Sequence, residues 1–533
     1  MRAITTVLIL ALVVSGCAKQ LERKLVKPEQ VQTLDHESPY LKVHMKDGGL
    51  YVLSEWSVDE ARGVVIGVGD RFDARREVVS TGTAEVAVAD VALFETNVVV
   101  TSDVMGAVAV VAGISLAVTV ACLSNPKACF GSCPTFYLAA DGGGELLQAE
   151  GFSASVAPSL EERDVDHLYR ARVSGRDLVV RLTNEAYETH VIRYARIIAA
   201  TPPPGGRVLA TPDGALLAAT RLAPPTTCAA AEGDCLAAVR AMDARERSSR
   251  TDGNDLATRE KIELTFEPAA AAGEERGLVI GARQTFLTTY LFYQMLSYLG
   301  RSAGAVLAEL ERRGGRLGDG AIDMRTVLGG IRIEAERADG TFAPVGEFDE
   351  TGPLAADVQV FRLPRGAGPR VRLTVTRGHY RLDLVAMATL AGAARSVELE
   401  PVAVERGGVA DADALARLRG GAEQLVTRPG DELHVRYRLP EGASELFLAS
   451  RGYYLEWMRQ EWLREESPLR AALFLRQPRL ALRLLAPAFR AVEDRMEEMF
   501  WRSRYSPAHQ KKPSAGMTSG ARSASPRGGA SAR

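Results

Sequence analysis

The sequence predicts a mainly β, multidomain fold: a small β-barrel plus β-sandwich-like domains, an apolar helix at 104–123 and an α-helical C-terminal region. Three observations carry this. Between residues 41 and 450 apolar residues recur in short alternating runs of strand length, separated by Gly, Pro and Asp. The run from Val104 to Leu123 is twenty residues without a charge, about 30 Å as a helix. Beyond Tyr453, apolar residues fall at helical spacing, punctuated by Ser467-Pro468, Gln477-Pro478 and Ala486-Pro487.

Composition narrows the class. With 533 residues the chain has material for several domains, and 46% apolar against 25% charged residues is an ordinary globular balance. A net charge of −2 gives no overall field for nucleic acid, so nucleic acid is not an expected partner. Only nine of the 65 basic residues are lysine, and Ala and Arg abound, so pattern outweighs alanine propensity here.

The elements follow in order. Arg2 opens a short basic region, Ala3 to Val13 is almost wholly apolar, and small residues follow, as in a cleavable export signal over 1–16. Val14-Ser15-Gly16-Cys17 resembles the lipobox of bacterial lipoproteins. That resemblance implies lipidation of Cys17, which becomes the first mature residue and carries several acyl chains, enough for stable membrane anchoring. Ala18, where enterobacterial lipoproteins retained in the inner membrane carry Asp, points to the outer membrane. Residues 17–40 read as a polar lipidated tether, about 75 to 80 Å if fully extended.

Residues 41–100 carry five short strands, Leu41 to Met45, Leu50 to Trp56, Gly63 to Val68, Ala84 to Val88 and Val91 to Thr96, expected to form a small barrel. Their Lys46-Asp47-Gly48-Gly49 turn resembles the first hairpin of Sm-like barrels, and no RNA function follows from it. The run within 101–124 has three readings: a buried or membrane-apposed helix or hairpin, a transmembrane helix, or paired buried strands. Ala109, Gly113 and Ala117 give it a small-residue face for close helix contact. A span would place all that follows in the cytoplasm, against the oxidising setting that export implies.

Residues 125–275 read as a mainly β domain, and 276–400 as β-sandwich-like with inserted helices, one of them the all-round apolar Thr285 to Leu299. The stretch Arg370 to Leu390 resembles the last strands of discoidin-like or jelly-roll binding modules, which implies architecture only. Residues 401–505 read as a hairpin and three or four short helices, and 506–533 as a basic, disordered tail.

Walker A, H-E-x-x-H, G-x-S-x-G and G-x-G-x-x-G signatures are missing, and Ser124-Asn125-Pro126-Lys127 has a proline where an acyl-serine site needs a helical turn. No cofactor or metal is expected. Six cysteines minus Cys17 leave five, so one stays unpaired; Cys228 with Cys235, and Cys129 with Cys133, are disulfide candidates, and Cys122 is a further partner for either of the last two. Glu185, Glu188 and His190 form the one cluster of catalytic composition, with Glu188 and His190 sharing a face if extended. Asp164, Asp166 and His167 have the spacing for Ca²⁺ or Zn²⁺, but read as a surface loop; His379 and His434 read as structural.

Cys129 to Tyr137 and Asn184 to His190 resemble segments of bacterial envelope lipoproteins of uncharacterised activity. The expected role is non-enzymatic binding or scaffolding, with the membrane and an envelope protein or glycan as partners. The alternatives are an envelope hydrolase acting on polysaccharide or ester through Glu185, Glu188 and His190, and a membrane-assembly component using 104–123.

Overall fold

The computed structural model describes residues 19–46, 49–72, 78–101, 133–139, 144–303 apart from 157, 174 and 272, then 306, 327–350, 352–420, 423–457 and 465–503. Cys17, Cys122, Cys129, the run 104–123, Ser124 to Lys127 and the tail 506–533 lie outside them. The protein is mainly β.

An antiparallel sheet comes first, in the order Lys19–Val26, Val91–Thr101, Leu41–Met45, Leu50–Asp59, Val64–Phe72, Val78–Ala87. Leu41, Val43, Leu53, Val65 and Phe94 line its core face. All five expected strands are present, but the barrel is not. The edge of Val91–Thr101 that closure would need is taken by Lys19–Val26, so the sheet stays open with two edges. The same pairing corrects the tether, because the polar stretch after Cys17 becomes a strand within two residues of it.

The closed barrel lies elsewhere. Arg207–Ala210, Leu216–Ala223, Tyr380–Ala393, Arg276–Gln284 and Asp357–Arg362 close on themselves. Against this barrel packs a six-stranded sheet built around Arg259–Thr265 and Arg370–Thr376, and Ile262, Leu278, Ile280 and Leu373 meet in the shared core.

The barrel and its sheet are an insertion in a sandwich. One sandwich layer runs Val409–Ala410, Ala403–Arg406, Glu432–Arg438, Asp177–Thr183, Thr135–Ala139, Glu145–Glu150. The other runs Ser396–Leu399, Glu188–Ala200, Glu445–Glu456, Arg163–His167, with Leu425–Thr427 also on Glu188–Ala200. Phe136, Val180, Ile192, Ile197, Val435, Tyr437 and Leu448 fill the space between the layers. Glu188–Ala200 is buried on both faces over most of its length, which suits its β-branched Val191, Ile192, Ile197 and Ile198. Boundaries expected at 275 and 400 are therefore drawn differently: strands before 200 pair with strands after 396.

Helices close the fold. Leu287–Leu299, apolar all round as the sequence suggests, is buried against Pro468–Arg476 and Pro478–Ser503. Tyr453 extends a strand rather than starting a helix, and beyond it the described residues form two helices, Pro468–Arg476 and Pro478–Ser503. Pro468 and Pro478 stand at helix starts, whereas Pro487 sits inside the second helix on its exposed side. Burial of Leu482, Leu485, Phe489 and Val492 on the other side holds the helix together across the missing N–H.

A chain ending at residue 400 loses the partners of Asp177–Thr183 and Glu188–Ala200. Two inner strands then become bare edges. We expect this truncation to aggregate and to show no cooperative unfolding by circular dichroism, although all strands expected before 400 remain in it.

Candidate functional site

Glu188 and His190 do share a face. His190 Nε2 lies 2.9 Å from Glu188 Oε1 near the start of the strand Glu188–Ala200, and both side chains are 0% exposed. The reason is their register: Glu188 faces Glu456 and His190 faces Tyr454 across the inner strand pair. Before them the chain turns on Asn184, whose Nδ2 donates to the Glu188 carbonyl at 2.9 Å and whose Oδ1 accepts from the Ala186 amide at 3.3 Å. Glu185 points elsewhere, accepting from the Tyr137 hydroxyl at 3.0 and 3.1 Å. Glu185, Glu188 and His190 thus belong to two hydrogen-bonded groups in the interior, and a substrate has no surface at which to meet the His–Glu pair in this arrangement.

These groups lie where three parts of the protein meet. Trp457 donates from its indole to Thr189 Oγ1 at 2.8 Å and from its backbone to the Tyr187 carbonyl at 3.0 Å. His44 of the N-terminal sheet stacks on that indole at 3.6 Å between centroids. Leu93 packs with Tyr187 and Trp457, and the Tyr293 hydroxyl of the helix Leu287–Leu299 donates to Glu456 at 2.7 Å. Lys42 and His44 reach the two oxygens of buried Glu95 at 3.0 and 3.2 Å. Sequence reasoning missed Lys42, His44, Glu95 and Trp457. Lys42, His44 and Glu95 alternate with Leu41, Val43 and Phe94 and so read as a solvent-facing side, and their burial comes from the distant Trp457 packed over that face.

A second polar group joins the sandwich to the barrel. Asp164, Asp166 and His167 stand on a strand rather than the expected loop, with Asp166 and His167 buried. His167 Nε2 lies 2.9 Å from Glu445, and its backbone amide donates to Asp357 of the barrel at 2.8 Å. Glu150 accepts the Leu354 and Ala355 amides at 2.5 and 2.9 Å. Gly352, at φ +112°, lets that loop close, since a Cβ there would stand 2.8 Å from Glu150. Burial pushes the Glu150 carboxyl up to about 7. Burial and then Asp357 push half-buried Asp164 up to about 7, and burial with Asp164 and Asp357 beside it holds Asp166 well above the carboxylate range. Among the described residues no group of three or more His, Cys, Asp or Glu side chains is arranged to hold a metal ion.

Cys228 and Cys235 form a disulfide. Cys133 carries a free, buried thiol, raised by burial and by the nearby Glu150 and Glu188 charges, so the Cys129 pairing is not made. His379 is buried, its Nε2 3.0 Å from Thr288 Oγ1, and burial lowers it to about 3; half-buried His434 lies on a sandwich strand, so both hold structural places.

No known protein family matches the chain, and no curated protein matches it.

For Glu150 and Asp164, folded values near 7 against ordinary values of 4.5 and 3.8 mean that the folded state holds protons the unfolded chain has released. Their contribution is full below pH 4 and is lost as pH rises through 7. Chemical denaturation between pH 4 and 8 should show wild type losing stability relative to Glu150→Gln/Asp164→Asn as pH rises. Trp457→Ala removes the His44 stack and the Thr189 hydrogen bond, and should cost about 3–5 kcal/mol and open the N-terminal sheet to limited proteolysis.

Proposed function

We propose that the chain is a lipid-anchored envelope protein, held by acylated Cys17, that acts by binding or scaffolding rather than by catalysis. The observation that carries this reading is the register Lys19↔Thr101. Residues just after the lipobox and those just before the apolar run 104–123 leave the folded body side by side at one end of a two-stranded ribbon. A lipid anchor and an apolar segment that share an exit are both served by one bilayer surface. The short distance from Cys17 to the first strand also keeps the N-terminal sheet close to that surface. The Cys228–Cys235 disulfide fits the oxidising compartment that export implies. Burial of Glu188 and His190 favours a structural role for the pair over the hydrolase reading.

The test is metabolic labelling with palmitate together with a protease topology assay on a tagged C-terminal tail. Wild type should incorporate label and Cys17→Ala should not. The tail should be cut once the outer membrane is permeabilised. A tail cut only after inner-membrane lysis, in a chain whose unfolded control is cut readily, would put everything beyond 124 in the cytoplasm and overturn the envelope assignment.

A further inference from the structure

The two C-terminal helices turn one side to the core and the other to solvent. Ala471, Phe474, Leu482, Leu485, Phe489 and Val492 are packed inside. On the outer side stand Leu469, 86% exposed, and Leu480 and Leu484, 45% and 44% exposed. Leu480 and Leu484 are one turn apart and form a stripe, beside which Arg479 and Arg483 form a parallel one. From Pro468 to Ala491 the chain has five arginines and no acid. Arg476 and Arg479 are exposed and have no acidic partner among the described residues. Arg483 reaches Asp255 at 2.9 Å, Arg490 reaches Glu493 at 2.9 Å and Arg470 reaches Glu465 at 3.9 Å; at such half-exposed sites ion pairs screen charge without removing it.

We propose that this outer face, with Leu469, Leu480, Leu484, Arg476, Arg479 and Arg483, is a docking surface for an anionic lipid bilayer. Three large apolar side chains suit the boundary between headgroups and acyl chains, and flanking guanidinium groups suit lipid phosphates. Charge complementarity sets the occupant: an excess of arginine with no acid in the same stretch seeks a dense anionic surface. The face rests on the membrane-anchored reading for its setting, and would give the protein a second contact at the far end of the chain from Cys17.

The experiment measures co-sedimentation of the full-length chain carrying Cys17→Ala with vesicles of phosphatidylglycerol and phosphatidylcholine, or of phosphatidylcholine alone. The apolar stretch 3–13 is common to every variant, so differences between variants are read. The chain should prefer the anionic vesicles. Leu469→Ser/Leu480→Ser/Leu484→Ser and, separately, Arg476→Gln/Arg479→Gln should each weaken that binding about tenfold or more with circular dichroism unchanged. Equal affinity for the two vesicle types, or anionic binding that neither variant disturbs, overturns the proposal. So does a leucine variant that keeps vesicle binding but dissolves a dimer, which would assign the face to a second copy. The two membrane readings fail separately: loss of palmitate labelling with intact vesicle binding removes the anchor alone, and normal labelling without face-dependent binding removes the docking surface alone.

Discussion

The antiparallel pair formed by Glu188–Ala200 and Glu445–Glu456 is the constraint on which the remaining architecture hangs. It joins stretches of chain far apart in sequence, and everything between them must leave and return within that register. Residues 207–393 do so by closing a barrel and a sheet with a core of their own, so the insertion adds little strain to the sandwich that brackets it. Loop-closure entropy grows only slowly with length, which makes such an insertion tolerable in equilibrium terms. The kinetic cost is larger, because the sandwich cannot complete itself until residues after 396 are available. Trp457, directly beyond the second strand, then carries the same constraint to the N-terminal sheet through His44.

Where the parts join, the interior is polar, and the protein stabilises it in two ways. Lys42 with Glu95, and Arg247 with Glu260, are opposite charges in hydrogen-bond contact, and His44 lies 3.2 Å from the second Glu95 oxygen. Such pairs give little net stability when formed, yet removing one partner typically costs about 3–5 kcal/mol, so they fix geometry more than they add to the total. The junction between sandwich and barrel uses neutralisation instead. Burial pushes Glu150, Asp164 and Asp166 toward their neutral forms, neighbouring carboxylates add to this at the two aspartates, and a few amide hydrogen bonds to Glu150 and Asp164 oppose it. One junction therefore responds to pH through carboxyl groups, while the other is held by ion pairs and a stacked indole.

Local pattern was legible in the sequence and long-range pairing was not. Alternation locates Leu41–Met45, because the two faces of a strand differ in hydropathy whatever their partners are. The all-round apolar composition of Leu287–Leu299 likewise announced burial. Register between distant strands leaves no such trace: nothing in Asp177–Thr183 names Glu432–Arg438 as its neighbour. Barrel closure failed to show for the same reason, since it depends on which edges meet. For the candidate residues, extended geometry correctly placed Glu188 and His190 on one face, whereas the burial of Asp166 and His167 depended on a barrel strand brought in from residue 357. Pro487 misleads because a proline inside a helix can be outweighed by the packing of the opposite side.

Polar groups at the junctions and apolar groups on the surface are two sides of one allocation. In a soluble chain with no surface partner, exposed leucine contributes nothing to folding, and single exposed apolar residues carry no meaning on their own. Leu469, Leu480 and Leu484 differ in being gathered on consecutive helices and bordered by arginine, while the fold keeps charged groups such as Lys42 and Glu95 inside. Core burial alone would have favoured the reverse exchange. A bilayer would give the leucines an apolar neighbour and the arginines a phosphate, and the Lys19–Val26 ribbon would bring the opposite end of the chain to the same surface. Two attachments at opposite ends of the sequence would then restrict how the sandwich and barrel are presented, a geometric requirement that suits a scaffold better than a freely diffusing catalyst.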